Sequence, residues 1–131
     1  MSPRSTSAKL PPPLQRLVDK LTKENLWLYV LSILKERPAY PYEISDLIEE
    51  RFGWRPARVT AYMVMRSLKS KGYVRMSKKK GEETGKMRNY YEITESGRKL
   101  LEEGLKFLNE TMISLQEKKI SQEGPNDEDM V

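Results

Sequence analysis

Residues 55–73 read RPARVTAYMVMRSLKSKGY and run on through VRMSKKK at 74–80 and the turn GEETG at 81–85 into MRNYYEIT at 87–94. Advancing 100° per residue along the first segment places Ala57, Ala61, Val64, Met65 and Leu68 in one apolar stripe, the signature of a helix with one buried face. Gly72 ends that helix, YVRMSKKK and MRNYYEIT read as strands, and Gly81 and Gly85 suit the positive φ of a hairpin connection. The stretch is therefore a helix with a β-hairpin attached.

Charge is concentrated in the same place. Residues 51–91 hold twelve Lys or Arg against Glu82 and Glu83, a local balance of +10 inside a chain whose total is +5, so the remainder sums to −5. A field of that density can be read by a polyanion, and nucleic acid is the first partner it suggests. The simpler reading is chance clustering on a heavily charged surface.

Working upstream, NLWLYVLSILKER at 25–37 is apolar on nearly every side, as expected of a helix in the centre of a domain, with Asn25 placed to cap it and Pro38 to stop it. The next helix begins near Pro41. It carries Ile44, Leu47, Ile48 and Phe52 on one face and Glu43, Asp46, Glu49 and Glu50 on the other, and Gly53 closes it. Trp54–Arg55–Pro56 then turns the chain, because a residue before proline is pushed out of the helical region. Two short helices joined by a tight turn, followed by a hairpin, make a winged helix-turn-helix within a mainly α fold.

The second helix of that pair has an outer face of Val59, Met63, Arg66 and Ser70, flanked by Thr60, Tyr62 and Ser67. A merely solvated helix would offer Glu and Lys there. A major-groove reader wants a cation for a guanine edge, small or thioether groups against thymine methyls, and hydroxyls for phosphates. Thr60, Met63 and Arg66 are accordingly the candidates for base edges. Tyr42, Arg58, Tyr62, Lys69, Lys78, Lys79, Lys80 and Arg88 are the candidates for phosphates, with the lysine-rich wing gripping the backbone. The competing reading packs Val59 and Met63 on protein.

Two further helices flank this unit. Leu14, Leu17, Val18 and Leu21 recur at helical spacing, with Pro13 suited to the first helical position. Thr94 can cap ESGRKLLEEGLKFLNETMISLQEKK, in which Leu101, Leu105, Leu108, Met112 and Leu115 are spaced 4, 3, 4, 3. Leu100, Phe107 and Ile113 widen its apolar surface, so this helix is expected to meet both its own domain and a second subunit. These two leucine-rich stripes are the candidate dimer interface. The chain accordingly divides into a flexible arm at 1–12, a DNA-binding domain at 13–93, a dimerisation helix at 94–118 and a disordered acidic tail at 119–131.

Composition removes other classes. With no Cys and no His, disulfides, thiolate metal sites and the commonest general base are absent, no catalytic or metal site is implied, and no cofactor is expected. No apolar run approaches the ~20 residues needed to cross a bilayer, and MSPRSTSAKLPPP lacks the apolar core of a secretory signal, so a cytoplasmic location is expected. Trp27, Tyr29, Trp54 and Phe107 are the walls from which a site for a small aromatic effector would be built; plain core and interface packing is their simpler role.

Three pieces, LYVLSILKERPAYPYEI at 28–44, TAYMVMRSLKSKGYV at 60–74 and RNYYEITESGRKLL at 88–101, stand in an order and spacing that resembles the PadR-like transcriptional regulators. The resemblance covers rather more than half of the chain and implies a dimeric, usually repressing, DNA-binding protein whose N- and C-terminal helices form the dimer interface. Tyr42 matches the family's Tyr ahead of the first helix of the pair, with Pro41 where the family has Gly. The family's Gly-Thr-Leu-Tyr-Pro run appears as Val59, Thr60, Ala61, Tyr62 and Met63, which keeps Thr60 and Tyr62 and loses the Gly and the Pro. The wing also lacks the proline often seen before its second strand. The expected mechanism is a homodimer occupying a pseudo-palindromic operator. A winged-helix protein-interaction module and a nonspecific, chromatin-like DNA binder are the alternatives.

Overall fold

The protein is described by a computed structural model covering residues 9–80 and 85–117, with side chains throughout except at 79 and 80. Most of the expected N-terminal arm, the turn residues 81–84 with Gly81, Glu82 and Glu83, and the acidic tail lie outside the described residues. Helix α1 spans Pro12–Leu21, one residue ahead of the expected start, and a 3₁₀ turn at Lys23–Asn25 joins it to α2, Leu26–Glu36. A second 3₁₀ turn, Pro41–Glu43, leads into α3, Ile44–Phe52; α4 covers Arg58–Ser70, strands β1 and β2 cover Val74–Lys80 and Met87–Ile93, and α5 covers Glu95–Gln116.

Helix α2 is the centre of the molecule. Leu26, Val30, Leu31, Ile33 and Leu34 are all buried, and they meet Ile44 and Ile48 of α3, Ala61, Met65 and Leu68 of α4, Val74 and Tyr91 of the hairpin, and Leu101 of α5. Each of the Leu, Ile, Val and Met side chains, taken out of water, contributes roughly 1.5 to 3 kcal/mol. The inner stripe expected for α4 holds at Ala61, Met65 and Leu68, with Val64 half-buried, whereas Ala57 is exposed because it caps the helix in extended geometry instead of belonging to it. Asn25 occupies the capping position of α2 without capping it. Its amide donates to the Lys20 carbonyl (2.5 Å) and its oxygen accepts from Trp27 Nε1 (3.1 Å), so it clamps the joint between α1 and α2.

The elements end where local chemistry ends them. Arg37 is extended ahead of Pro38, and Gly53 and Gly72 adopt φ of +80° and +82°, the left-handed conformation that closes a helix at little cost only for glycine. Strands β1 and β2 pair antiparallel with Val74 opposite Ile93 and Lys80 opposite Met87. On the other side of β2, Ala39 exchanges two backbone hydrogen bonds with Tyr91 (3.1 and 2.8 Å), which ties the hairpin to the segment between α2 and α3. The architecture is a winged helix-turn-helix with one helix added at each end.

The start of α5 is fixed with equal care. Thr94 Oγ1 accepts from the Gly97 amide (3.1 Å), as expected of a capping threonine, and both Thr94 Oγ1 and Ser96 Oγ donate to the Gly72 carbonyl (2.7 and 2.9 Å). A Cβ on Gly97 would stand 2.1 Å from the Tyr73 carbonyl oxygen, so only glycine allows α5 to start this close to the α4–β1 turn. Further along, Gly104 sits against the Trp27 ring of α2, where a Cβ would be 2.8 Å from Cη2.

Candidate nucleic-acid interface

Helix α4 turns the stripe of Val59, Met63, Arg66 and Ser70 away from the core, with Val59 75 % and Met63 58 % exposed. Thr60 and Tyr62 flank it, also exposed, and the Arg66 guanidinium lies 5.9 Å from the Tyr62 ring, one helical turn back. Nothing in the chain covers this face among the described residues. Val59 and Met63 are thus apolar groups left open to solvent on the helix whose other side packs into the core.

The basic run divides into spent and available cations. Arg51 pairs with Glu36 of α2, Arg55 with Asp46 (2.5 Å) and Glu49 (3.1 Å) of α3, and Arg75 with Glu92 across the hairpin (3.2 Å). The Asp46 carboxylate also stands 4.0 Å from Arg58, and its hydrogen bond to Arg55 holds that guanidinium's pKa above the usual range. These acids come from other elements, so the local balance of +10 overstates the field. Arg66, Lys69, Lys71 and Lys78 have no carboxylate partner among the described residues, and they lie on the outer side of α4, at its end and on β1. Lys79 and Lys80 belong to β1, but their side chains are outside the described part.

Between the Pro41–Glu43 turn, α4 and the hairpin lies a cleft of about 450 Å³ lined by Tyr40, Pro41, Tyr42, Tyr62, Met76, Arg88, Asn89 and Tyr91. Arg88 reaches across it from β2. Its guanidinium carbon is 5.0 Å from the Tyr40 ring and 5.8 Å from the Tyr42 ring, and it donates a hydrogen bond to the Tyr42 hydroxyl. Tyr40 packs on Tyr42 (4.3 Å between centroids) and edge-on to Tyr90 (5.4 Å). Donating its own hydroxyl to Tyr42 pushes the Tyr40 phenol up to about 12, and the same bond, followed by the one from Arg88, lowers the Tyr42 phenol. Tyr42 itself is 52 % exposed.

Sequence reasoning placed Tyr42 and Arg88 separately on phosphates; the structure joins them. Tyr40 and Asn89 were missed, although the Tyr-Pro-Tyr step at 40–42 is a visible signal that a proline fixes two phenols on neighbouring bearings. Of the four aromatics considered for an effector, Tyr29 and Trp54 are brought together, and Trp27 and Phe107 lie apart from them. Trp27 faces a groove with Leu26, Val64, Leu68, Tyr73 and Leu100; Tyr29 stacks edge-on to Phe52 and Trp54 (5.0 Å each); Phe107 is 67 % exposed on α5.

The terminal helices differ from the domain they flank. No residue of α1 is buried, and Leu14, Leu17 and Leu21 are exposed, with Val18 half-buried. On α5, Leu101 is 2 % exposed in the chain's own core, which corrects its assignment to a seam shared with a second subunit. It lies within the first two turns, where α5 is still packed on α2. From Leu105 onward the same stripe is open, with Met112 and Leu115 exposed and Leu108 half-buried. No helix among the described residues is long and apolar enough to cross a membrane.

Comparison with known proteins agrees with this geometry. Residues 30–103 match the Transcriptional regulator PadR-like family. Among solved structures, a PadR family transcriptional regulator from Eggerthella lenta is similar at 29 % identity and a TM-score of 0.62, over 82 % of this chain and 96 % of its own. A transcriptional regulator from Clostridium thermocellum has 28 % identity and a TM-score of 0.58, over 76 % and 96 % of the two chains. A PadR-like regulator from Bacillus cereus shares the fold at 21 % identity, with a TM-score of 0.63 over 76 % and 99 %. No curated protein matches the chain.

Proposed function

The chain belongs to the PadR-like family of transcriptional regulators, and on that footing we propose that it binds double-stranded DNA as a homodimer on a pseudo-palindromic operator, acting as a repressor. The observation that carries the reading is the outer face of α4, where uncovered Val59 and Met63 sit beside Arg66 and hydroxyl groups. In the major groove Thr60, Met63 and Arg66 meet base edges, while Tyr42, Arg58, Tyr62, Lys69 and Lys78, with Lys79 and Lys80 further along β1, meet phosphates. Repression follows by occupancy, since a dimer across two successive major grooves about 34 Å apart obstructs a promoter without any chemistry of its own.

The dimer rests on the open stripes. Leu14, Leu17, Val18 and Leu21 of α1 and Leu105, Leu108, Met112 and Leu115 of α5 are apolar surface that a second copy would cover, and the domain proper then ends near Ile93. A cytoplasmic location goes with this role.

Selection of bound sequences from a random duplex pool at about 50 and 200 mM salt tests the reading, because phosphate-driven affinity collapses over that range while base preference survives. An enriched inverted repeat with half-sites about 10 base pairs apart supports it. Salt-sensitive binding with no enriched motif would replace it by a nonspecific DNA binder. Failure to bind at either salt would favour a protein-interaction module, the second reading that the exposure of Val59 and Met63 sustains.

A further inference from the structure

Arg88 is the one wing arginine whose head group is turned onto aromatic rings of the helix-turn-helix, 46 residues away in the chain. Its guanidinium lies against two rings and donates one N–H to a hydroxyl, so the direction of its planar head group is set by contacts inside the protein. The Tyr42 oxygen accepts from Arg88 while the Tyr40 ring packs on its own ring, 4.3 Å between centroids, which leaves the Tyr42 O–H as a donor with no partner among the described residues. A hydroxyl whose oxygen accepts from a guanidinium is polarised and donates more strongly. Tyr42 is half-exposed at the mouth of the cleft that faces the same side as α4 and the wing.

We infer that Arg88 is a positioning residue: together with Tyr40 it aims and polarises the Tyr42 hydroxyl as a donor to a DNA phosphate, and does not itself serve chiefly as a phosphate-binding charge. The inference rests on the DNA-binding reading above and goes beyond it by routing the wing's contribution through a tyrosine of the helix-turn-helix. Asn89, beside Arg88 on β2 and lining the same cleft, is placed to flank the phosphate. The arrangement also welds the wing to the turn before α3, adding a side-chain link to the Ala39–Tyr91 backbone bridge.

Arg88→Lys separates the two roles, because lysine keeps the charge and loses the planar fork and the stacking. The probe is a duplex enriched by the selection above or, if none is enriched, a mixed-sequence duplex of fixed length, with binding of the full chain followed across a salt series. Arg88→Lys is expected to weaken binding about tenfold, close to the loss from Tyr42→Phe and equivalent to one hydrogen bond to a charged group. Its salt slope should stay at the wild-type value, and in a Tyr42→Phe background it should cost less than about twofold, as non-additive partners do. Tyr40→Phe, which keeps the ring and removes the donor, should lose less than Tyr42→Phe and nothing further in its background. Wild-type affinity in Arg88→Lys, with Arg88→Ala flattening the salt slope by about 0.9, would make Arg88 an ordinary phosphate charge and overturn the inference. So would effects of Arg88→Lys and Tyr42→Phe that simply multiply.

A readout without DNA keeps the two readings apart. Alkaline difference spectra of wild type should show one tyrosine ionising early; that step should vanish in Tyr42→Phe and move to higher pH in Arg88→Lys. If wild type binds no duplex, the DNA reading fails while the spectra still report the contact. If the spectra of wild type and Arg88→Lys coincide, the positioning role fails even though DNA binds.

Discussion

Helices α1 and α2 are neighbours of 10 and 11 residues, separated by a single 3₁₀ turn, and their circumstances are opposite. Helix α2 buries five side chains and is touched from every side, whereas α1 buries none and shows a leucine stripe to solvent. A 10-residue helix is marginal in water by itself, since nucleation is costly and isolated helices below about 12 to 15 residues barely form. Within the chain, α1 is held by its end: Tyr29 Oη donates to the Leu21 carbonyl (2.5 Å), Asn25 to Lys20, and Thr22 Oγ1 to Val18 (2.7 Å). The contrast teaches that apolar content alone does not say what a helix is for. One is the core of the domain; the other is open apolar surface, and the distal half of α5 is open in the same way.

The hardest blow to this contrast is Leu31→Ala. Leu31 is fully buried on α2, and its truncation should cost about 3 kcal/mol in urea unfolding by transfer and cavity effects together. Leu17→Ala, on α1, should show its loss as a dependence on protein concentration, read by sedimentation and by a melting temperature that varies with dilution. A melting temperature independent of concentration in wild type would dissolve the distinction.

Next in size, Gly97→Ala should destabilise by about 2 kcal/mol, because the clash is with the Tyr73 backbone, which cannot turn aside as a side chain can. Gly104→Ala meets only the edge of Trp27 and Leu28 and should cost less; equal losses would show that α5 is not anchored at its start.

At the interface, Arg66→Ala should cost about 1 to 3 kcal/mol on the preferred sequence and relax preference at one base pair. Lys78→Ala should weaken every duplex alike, by less, and lower the salt slope by about 1. Competition against scrambled duplexes compares the two, and the same uniform loss from both would remove Arg66 from the base edges.

Much of the domain was legible because its determinants are local. Proline at 38, glycine at 53 and 72, and threonine at 94 each act within a turn of themselves, and the α4 stripe is a property of one helix. Most hidden features depend on distant residues. The acid that occupies Arg51 is Glu36 of α2, which no run of charges announces, whereas Asp46 and Glu49, which occupy Arg55, belong to the acidic face already visible on α3. Glu92 was within reach of reasoning: the hairpin register puts it opposite Arg75, and opposite charges facing across strands are expected to pair. Leu101 continues the spacing of Leu105 and Leu108 without a break, so periodicity cannot reveal that α2 claims it first. The Tyr40, Tyr42 and Arg88 cluster needs the hairpin folded back onto the helix-turn-helix before any of its contacts exist.

The carbonyl of Gly72, gripped by two hydroxyls from the beginning of α5, has a mechanical meaning. With Gly97 seated against Tyr73, it makes a hinge without play between the end of α4 and a lever of 22 residues, roughly 33 Å long at 1.5 Å per residue. A tilt of roughly 6° at this joint moves the far end of the lever by about 3.4 Å, the rise of one base pair. Whatever holds the distal end of α5 thereby sets the bearing of α4, and in the proposed homodimer the stiffness of that joint would become a ruler for the distance between the two copies of α4.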